Sequence, residues 1–109
     1  MIQILIVDDM KALLEAVKFV LESNPGFRVD TALSVKDALG LLQTTRYDVI
    51  ISDYCMPEMN GIEFLRHLRA QNCTIPFILQ TGQGDEKTAM EALECGVDFF
   101  LEKGSEGPL

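Results

Sequence analysis

A chain of 109 residues is the length of one domain, and apolar and charged fractions of 48% and 24% match folded globular proteins, which excludes a disordered tail, a collagen-like repeat and a disulfide scaffold. Nine Lys and Arg against seventeen Asp and Glu leave a net charge of −8, the wrong sign for a nucleic-acid-binding surface. Cys55, Cys73 and Cys95 include no C-x-x-C pair, so neither a disulfide frame nor a zinc site is suggested. No apolar run approaches the roughly 18 residues of a membrane span, and the N-terminus lacks the basic flank of a signal peptide. The expectation is one domain over residues 1–109, in the cytoplasm, with no membrane or nucleic-acid contact.

Five short apolar runs read as strands: Ile2 to Val7, Phe27 to Ala32, Tyr47 to Ser52, Ile75 to Gln80 and Val97 to Leu101. Between the first two, Leu13, Leu14, Val17, Val20 and Leu21 form a helical stripe that stops at the breakers Asn24-Pro25-Gly26. A second helix opens at Ser34, with Asp37 three residues on, and places Val35, Ala38, Leu39 and Leu42 on one face. Asn60 followed by Glu63 starts a third like a capping box, with Ile62, Leu65 and Leu68 inward. A fourth, from Asp85 to about Cys95, has only Ala89, Met90, Ala92 and Leu93 to bury, so its packing should be the weakest.

Strand starts fall 20 to 28 residues apart, room for a helix and two loops, so the strands should be parallel. Runs such as Ile4-Leu5-Ile6-Val7 and Val49-Ile50-Ile51 lack polar alternation, which implies burial on both faces. The expected fold is therefore α/β, a doubly wound five-stranded parallel sheet, and right-handed crossovers favour the order 2-1-3-4-5. Only six residues, Gly104 to Leu109, follow Lys103, too few for a closing helix. One flank of the sheet should be under-covered, and the native polypeptide is expected to continue into an amphipathic helix.

In that strand order Asp8 and Asp9, at the end of the first strand, meet Asp53, at the end of the third. At about 5 Å and an effective dielectric near 20, each carboxylate pair repels by roughly 3 kcal/mol, so the cluster calls for shifted pKa values or a bound cation. An all-oxygen donor set suits Mg²⁺ or Mn²⁺, which accept phosphate oxygens as remaining ligands. Any one of these Asp residues taken singly reads as a helix cap or strand terminator. Thr81 and Lys103 close the fourth and fifth strands on the same rim. Singly, a strand-end threonine and a solvated lysine are their commoner explanations; together they could neutralise and hydrogen-bond a phosphoryl group on Asp53.

The sequence resembles the receiver domain of two-component response regulators, the CheY-like fold, from Ile2 to Lys103. The resemblance rests on Ile4-Leu5-Ile6-Val7-Asp8-Asp9, on Asp53-Tyr54-Cys55-Met56-Pro57-Glu58-Met59-Asn60-Gly61, on Thr81-Gly82, and on Gly96-Val97-Asp98-Phe99-Phe100-Leu101-Glu102-Lys103. It implies that Asp53 accepts a phosphoryl group from the phosphohistidine of a sensor histidine kinase or a histidine phosphotransfer domain. It further implies that Asp9, Asp53 and the Cys55 backbone carbonyl ligate Mg²⁺, with Asp8 acting through water. Thr81 and Lys103 would contact the phosphoryl oxygens, and Thr81 and Phe100 would be the switch residues. Beyond weak self-phosphorylation and autodephosphorylation, no enzyme activity is implied.

The chain departs from the family pattern at Lys103-Gly104, where a Lys-Pro step is usual, so no cis peptide is expected there. Phe100 replaces the frequent tyrosine, leaving a switch that works by packing. Cys55 and Gln83 occupy positions that tune phosphoaspartate lifetime, and neither is an obvious base for water, so slow decay is expected. His67 reads as a solvated helix-face residue. Among rivals, a nucleotide or flavin site is disfavoured because Gly82-Gln83-Gly84 lacks both the G-x-G-x-x-G spacing and a P-loop lysine. A metal-dependent phosphatase is disfavoured because no second acid stands two residues past Asp53. A receiver-like module that signals by docking alone, without phosphorylation, is the remaining alternative.

Overall fold

A computed structural model of the chain describes residues 1–82 and 86–102, and for residues 86, 88, 89 and 102 the backbone alone. Strands and helices alternate as β1 (Ile2–Val7), α1 (Lys11–Glu22), β2 (Phe27–Ala32), α2 (Val35–Thr44), β3 (Val49–Asp53), α3 (Gly61–Ala70), β4 (Phe77–Thr81), α4 (Glu86–Glu94) and β5 (Phe99–Glu102). All strand pairs are parallel and the sheet order is β2-β1-β3-β4-β5, the order expected from the sequence.

The last three strands each start two residues later than the apolar runs and end one later. The displaced residues are engaged elsewhere. Tyr47 is buried and its hydroxyl donates to Asp30 at 2.5 Å, while the Asp48 carboxylate accepts the Gln3 amide at 2.8 Å. Pro76 has no N–H to give a ladder. Asp98 turns its carboxylate back to accept the Phe77 amide at 2.8 Å.

The larger core lies where Leu5, Val7, Ile50, Phe77 and Leu79 of the sheet meet α2 and α3. Phe64 of α3, which the sequence reading passed over, is fully buried there and packs edge-on to Phe77 with ring centroids 5.6 Å apart. The expected caps are present: the Ser34 hydroxyl accepts the Asp37 amide, and Asn60 and Glu63 form a reciprocal capping box. On the opposite face, Ile4, Ile6 and Val29 pack against Leu14 of α1. At the β2 edge, Lys18 donates to the Val29 carbonyl (2.6 Å) and Glu22 accepts the Val29 amide (2.9 Å), so α1 occupies backbone groups that an edge strand would otherwise leave open.

Two expectations about buried faces need correction. Val20, placed on the inward stripe of α1, is 65% exposed, and Met90 and Leu93 of α4 are exposed, leaving Ala92 as the buried residue among the described side chains of that helix. Met90 and Leu93 lie three apart on one helical face, turned away from Ala92. Phe99 and Leu101 of β5 are exposed, and a cavity of about 250 Å³ lies between Leu13 and Val17 of α1 and Ile6, Ile51 and Gln80 of the sheet. Asp85 and the side chain of Ala89 lie outside what is described.

Candidate functional site

In a parallel sheet all carboxyl ends share one rim, and the register sets which residues meet on it. Val7 pairs with Ser52, so Asp8 and Asp53 follow side by side; Asp53 pairs with Gln80, so Thr81 follows on the next strand. Asp8, Asp9 and Asp53 each offer a carboxylate oxygen to one point, these atoms lying within 4.8 Å of one another. Asp8 and Asp53 are buried at 3% and 7% exposure, Asp9 is exposed at the mouth, and Thr81 is buried beside them. Asp53 thus joins two acids that precede it by 45 and 44 positions in one cluster, as the strand order implied.

The backbone around the cluster is held on each side. The Met10 amide donates to Asp8 Oδ1 at 2.9 Å, a turn that leads from β1 into α1 and fixes that carboxylate. The hydroxyl of Ser52, itself fully buried, donates to the Asp53 carbonyl at 3.0 Å. The loop after Asp53 folds back: the Gly61 amide donates to the Tyr54 carbonyl at 2.8 Å, and the Met59 amide to the Pro57 carbonyl at 2.8 Å. That second contact wraps a tight turn around Glu58, whose φ of 72° is unusual for a residue with a side chain. A Cβ on Gly61 would lie 2.5 Å from the Asp53 carbonyl oxygen, so only glycine lets α3 begin this close beneath Asp53.

The three acids offer carboxylate oxygens that are partly desolvated and mutually repulsive, and that donor chemistry fits a hard divalent cation. Cys55 is exposed just past Asp53, and Phe100 is half-buried against the larger core. Lys103, Gln83 and Gly84 lie outside the described residues, as does the Lys103-Gly104 step. His67, expected to be solvated, is half-buried instead, lining a cavity of about 270 Å³ with Leu39, Leu42 and Leu68, and takes no part in the cluster. Sequence reasoning missed Ser52 and the Met10 amide. A single hydroxyl amid Val49-Ile50-Ile51 was the available signal for Ser52; a backbone donor leaves none.

The family model of the response regulator receiver domain matches residues 4–108. The chain belongs to this family. Among curated relatives, the protein-glutamate methylesterase/protein-glutamine glutaminase of Treponema denticola is 39% identical over 95% of this chain and 29% of its own length. The transcriptional regulatory protein FixJ of Bradyrhizobium diazoefficiens is 35% identical over 94% of this chain and 50% of its own. The chain therefore spans half or less of the length of these relatives. Among solved structures, the receiver domain of the Francisella response regulator 1452 superposes with a TM-score of 0.88 at 35% identity, covering 94% of this chain and 84% of that one.

This receiver domain is thus a phosphoacceptor signalling module of two-component systems, a class that works with histidine kinases and output domains. The docking-only alternative is not favoured. The likeness to the methylesterase covers 29% of that multidomain protein. Among the described residues no helix is long and apolar enough to cross a membrane.

Proposed function

We propose that Asp53 is the phosphoacceptor, taking the phosphoryl group of a sensor kinase or phosphotransfer-domain phosphohistidine with Mg²⁺ held by Asp9, Asp53 and the Cys55 carbonyl, and with Asp8 acting through water. Mn²⁺ would serve in the same place. The observation that carries this reading is the convergence of three carboxylate oxygens within 4.8 Å around a buried Asp53. When bound, the ion offsets the repulsion among the acids and the charge of the incoming phosphoryl group. The chain's own contribution is placement. Ser52 holds the Asp53 carbonyl, Gly61 holds the Tyr54 carbonyl next to it, Met10 fixes Asp8, and Thr81 offers a hydroxyl from the neighbouring strand.

Thr81 and Lys103 then hold the phosphoryl oxygens, and a pull on Thr81 passes to α4, with Phe100 repacking as the switch aromatic. Cys55 and Gln83 modulate hydrolysis without catalysing it, so the phosphoaspartate decays slowly. Small phosphodonors would label the domain weakly and without a kinase. The protein works in the cytoplasm.

Incubation with acetyl phosphate and Mg²⁺ tests this. A phosphoryl mass increment is expected, dependent on the metal and absent from Asp53→Ala. An increment that persists in Asp53→Ala, or that never forms with the wild-type chain, refutes the assignment.

A further inference from the structure

We propose that Arg66 is a restraint on α4 that sets how readily modification of Asp53 moves that helix; this rests on the reading of Asp53 given above. Among the described side chains of α4, Ala92 is buried while Met90 and Leu93 face solvent at 61% and 68% exposure. Two polar contacts cross from α3. Arg66 reaches Glu91 through Nη2 at 3.2 Å and donates from Nε to Cys95 Sγ at 3.1 Å. Residues 91 and 95 are one turn apart, so a single guanidinium spans the last turn of the helix.

One turn along α3, Arg69 does something different. It donates to the carbonyls of Cys73 and Ile75 and to Asp98, which in turn accepts the Phe77 amide. Arg69 therefore ties the loop that leads into β4 to the turn before β5, whereas Arg66 grips the helix itself. α3 is a firm base for both, with Ile62, Phe64, Leu65 and Leu68 buried. The α4 helix is thus anchored at the end nearest β5 and follows Thr81 at the other, the arrangement of a lever with an adjustable catch.

The catch is weak by construction. Its ion pair is 55% and 43% exposed and borders an open depression of about 560 Å³, so water and salt reach it. An exposed pair of this kind changes a population by about two- to five-fold. A restraint of that size biases α4 without locking it, which a buried apolar contact would do.

Hydrogen exchange of the full chain, without phosphodonor, tests the restraint. In Arg66→Met, exchange over 86–97 should rise about two- to five-fold while that over α3 stays put, and high salt should produce the same rise in the wild type but not in the variant. Reversing the pair with Arg66→Glu and Glu91→Arg together should recover protection lost in Arg66→Glu alone. Equal α4 exchange in wild type and Arg66→Met, or no recovery on reversal, overturns the restraint. Labelling by acetyl phosphate should quicken by a similar factor in Arg66→Met; looser α4 with unchanged labelling overturns its link to Asp53. Failure of the wild type to label at all would sink the phosphoacceptor reading, a result separate from the exchange measurement.

Discussion

Helices α3 and α4 pack on the same side of one sheet, yet they are built on opposite principles. α3 drives four large apolar side chains into the core and opens with a capping box beneath Asp53; α4 buries Ala92 among its described side chains and leans on Arg66. Each large side chain fully buried contributes about 1.5–3 kcal/mol, whereas an exposed ion pair contributes about 0–1. On the function proposed above, rigidity is concentrated where Asp53 must be held, and compliance where a signal must leave. The contrast is written in residue type: Ile62, Phe64, Leu65 and Leu68 against Ala92 and Glu91.

Truncating each helix should show the contrast most strongly. Phe64→Ala removes a fully buried ring in edge contact with Phe77 and is expected to cost about 3–5 kcal/mol in urea denaturation. Leu93→Ala, at 68% exposure, should stay within about 0.5 kcal/mol of wild type. Comparable losses from the two would mean that α4 is packed as firmly as α3, and the comparison would break.

Alkaline titration probes the core that α3 shares. Burial, and then the hydrogen bond to Asp30, push the Tyr47 hydroxyl up to about 12. Because the folded value lies above the ordinary one of about 10, the neutral phenol stabilises the fold fully below pH ~10, and that contribution drains away as pH rises through ~12. Two units correspond to about 2–3 kcal/mol at most. Denaturation midpoints measured from pH 9 to 12 should fall in the wild type and fall less in Tyr47→Phe. Parallel slopes for the two proteins would remove Tyr47 as the cause.

How far the chain announced all this depends on the kind of signal. Strand order and the meeting of Asp8, Asp9 and Asp53 were legible, because apolar runs at crossover spacing leave few topologies and acids at strand ends then share one rim. The starts of β3, β4 and β5 were not. Tyr47, Ile75 and Val97 look like strand residues, but their neighbours Asp48, Pro76 and Asp98 make side-chain contacts or lack a donor. Burial within α4 was misjudged because apolarity alone does not say which face finds a partner; Met90 and Leu93 found none among the described residues. Ser52 escaped notice because its role is a bond to a backbone carbonyl, visible only once the strand is folded.

The finest test concerns the join between Asp53 and the firm helix. A methyl group at position 61 would meet the Asp53 carbonyl oxygen and Leu79 Cδ1, both at 2.5 Å. The leucine can rotate away, but the carbonyl belongs to the strand and receives the Ser52 hydroxyl, so relief must come from shifting either β3 or the first turn of α3. Gly61→Ala should therefore cost about 1–3 kcal/mol, even though alanine favours helices. If α3 is the platform for the acceptor, Mg²⁺ affinity should drop with it, since Asp53 would no longer stand at its place beside Asp8 and Asp9. A variant that loses stability but keeps full metal affinity would show that β3 alone positions the carboxylate, and that the stiffness of α3 serves the fold without serving the site.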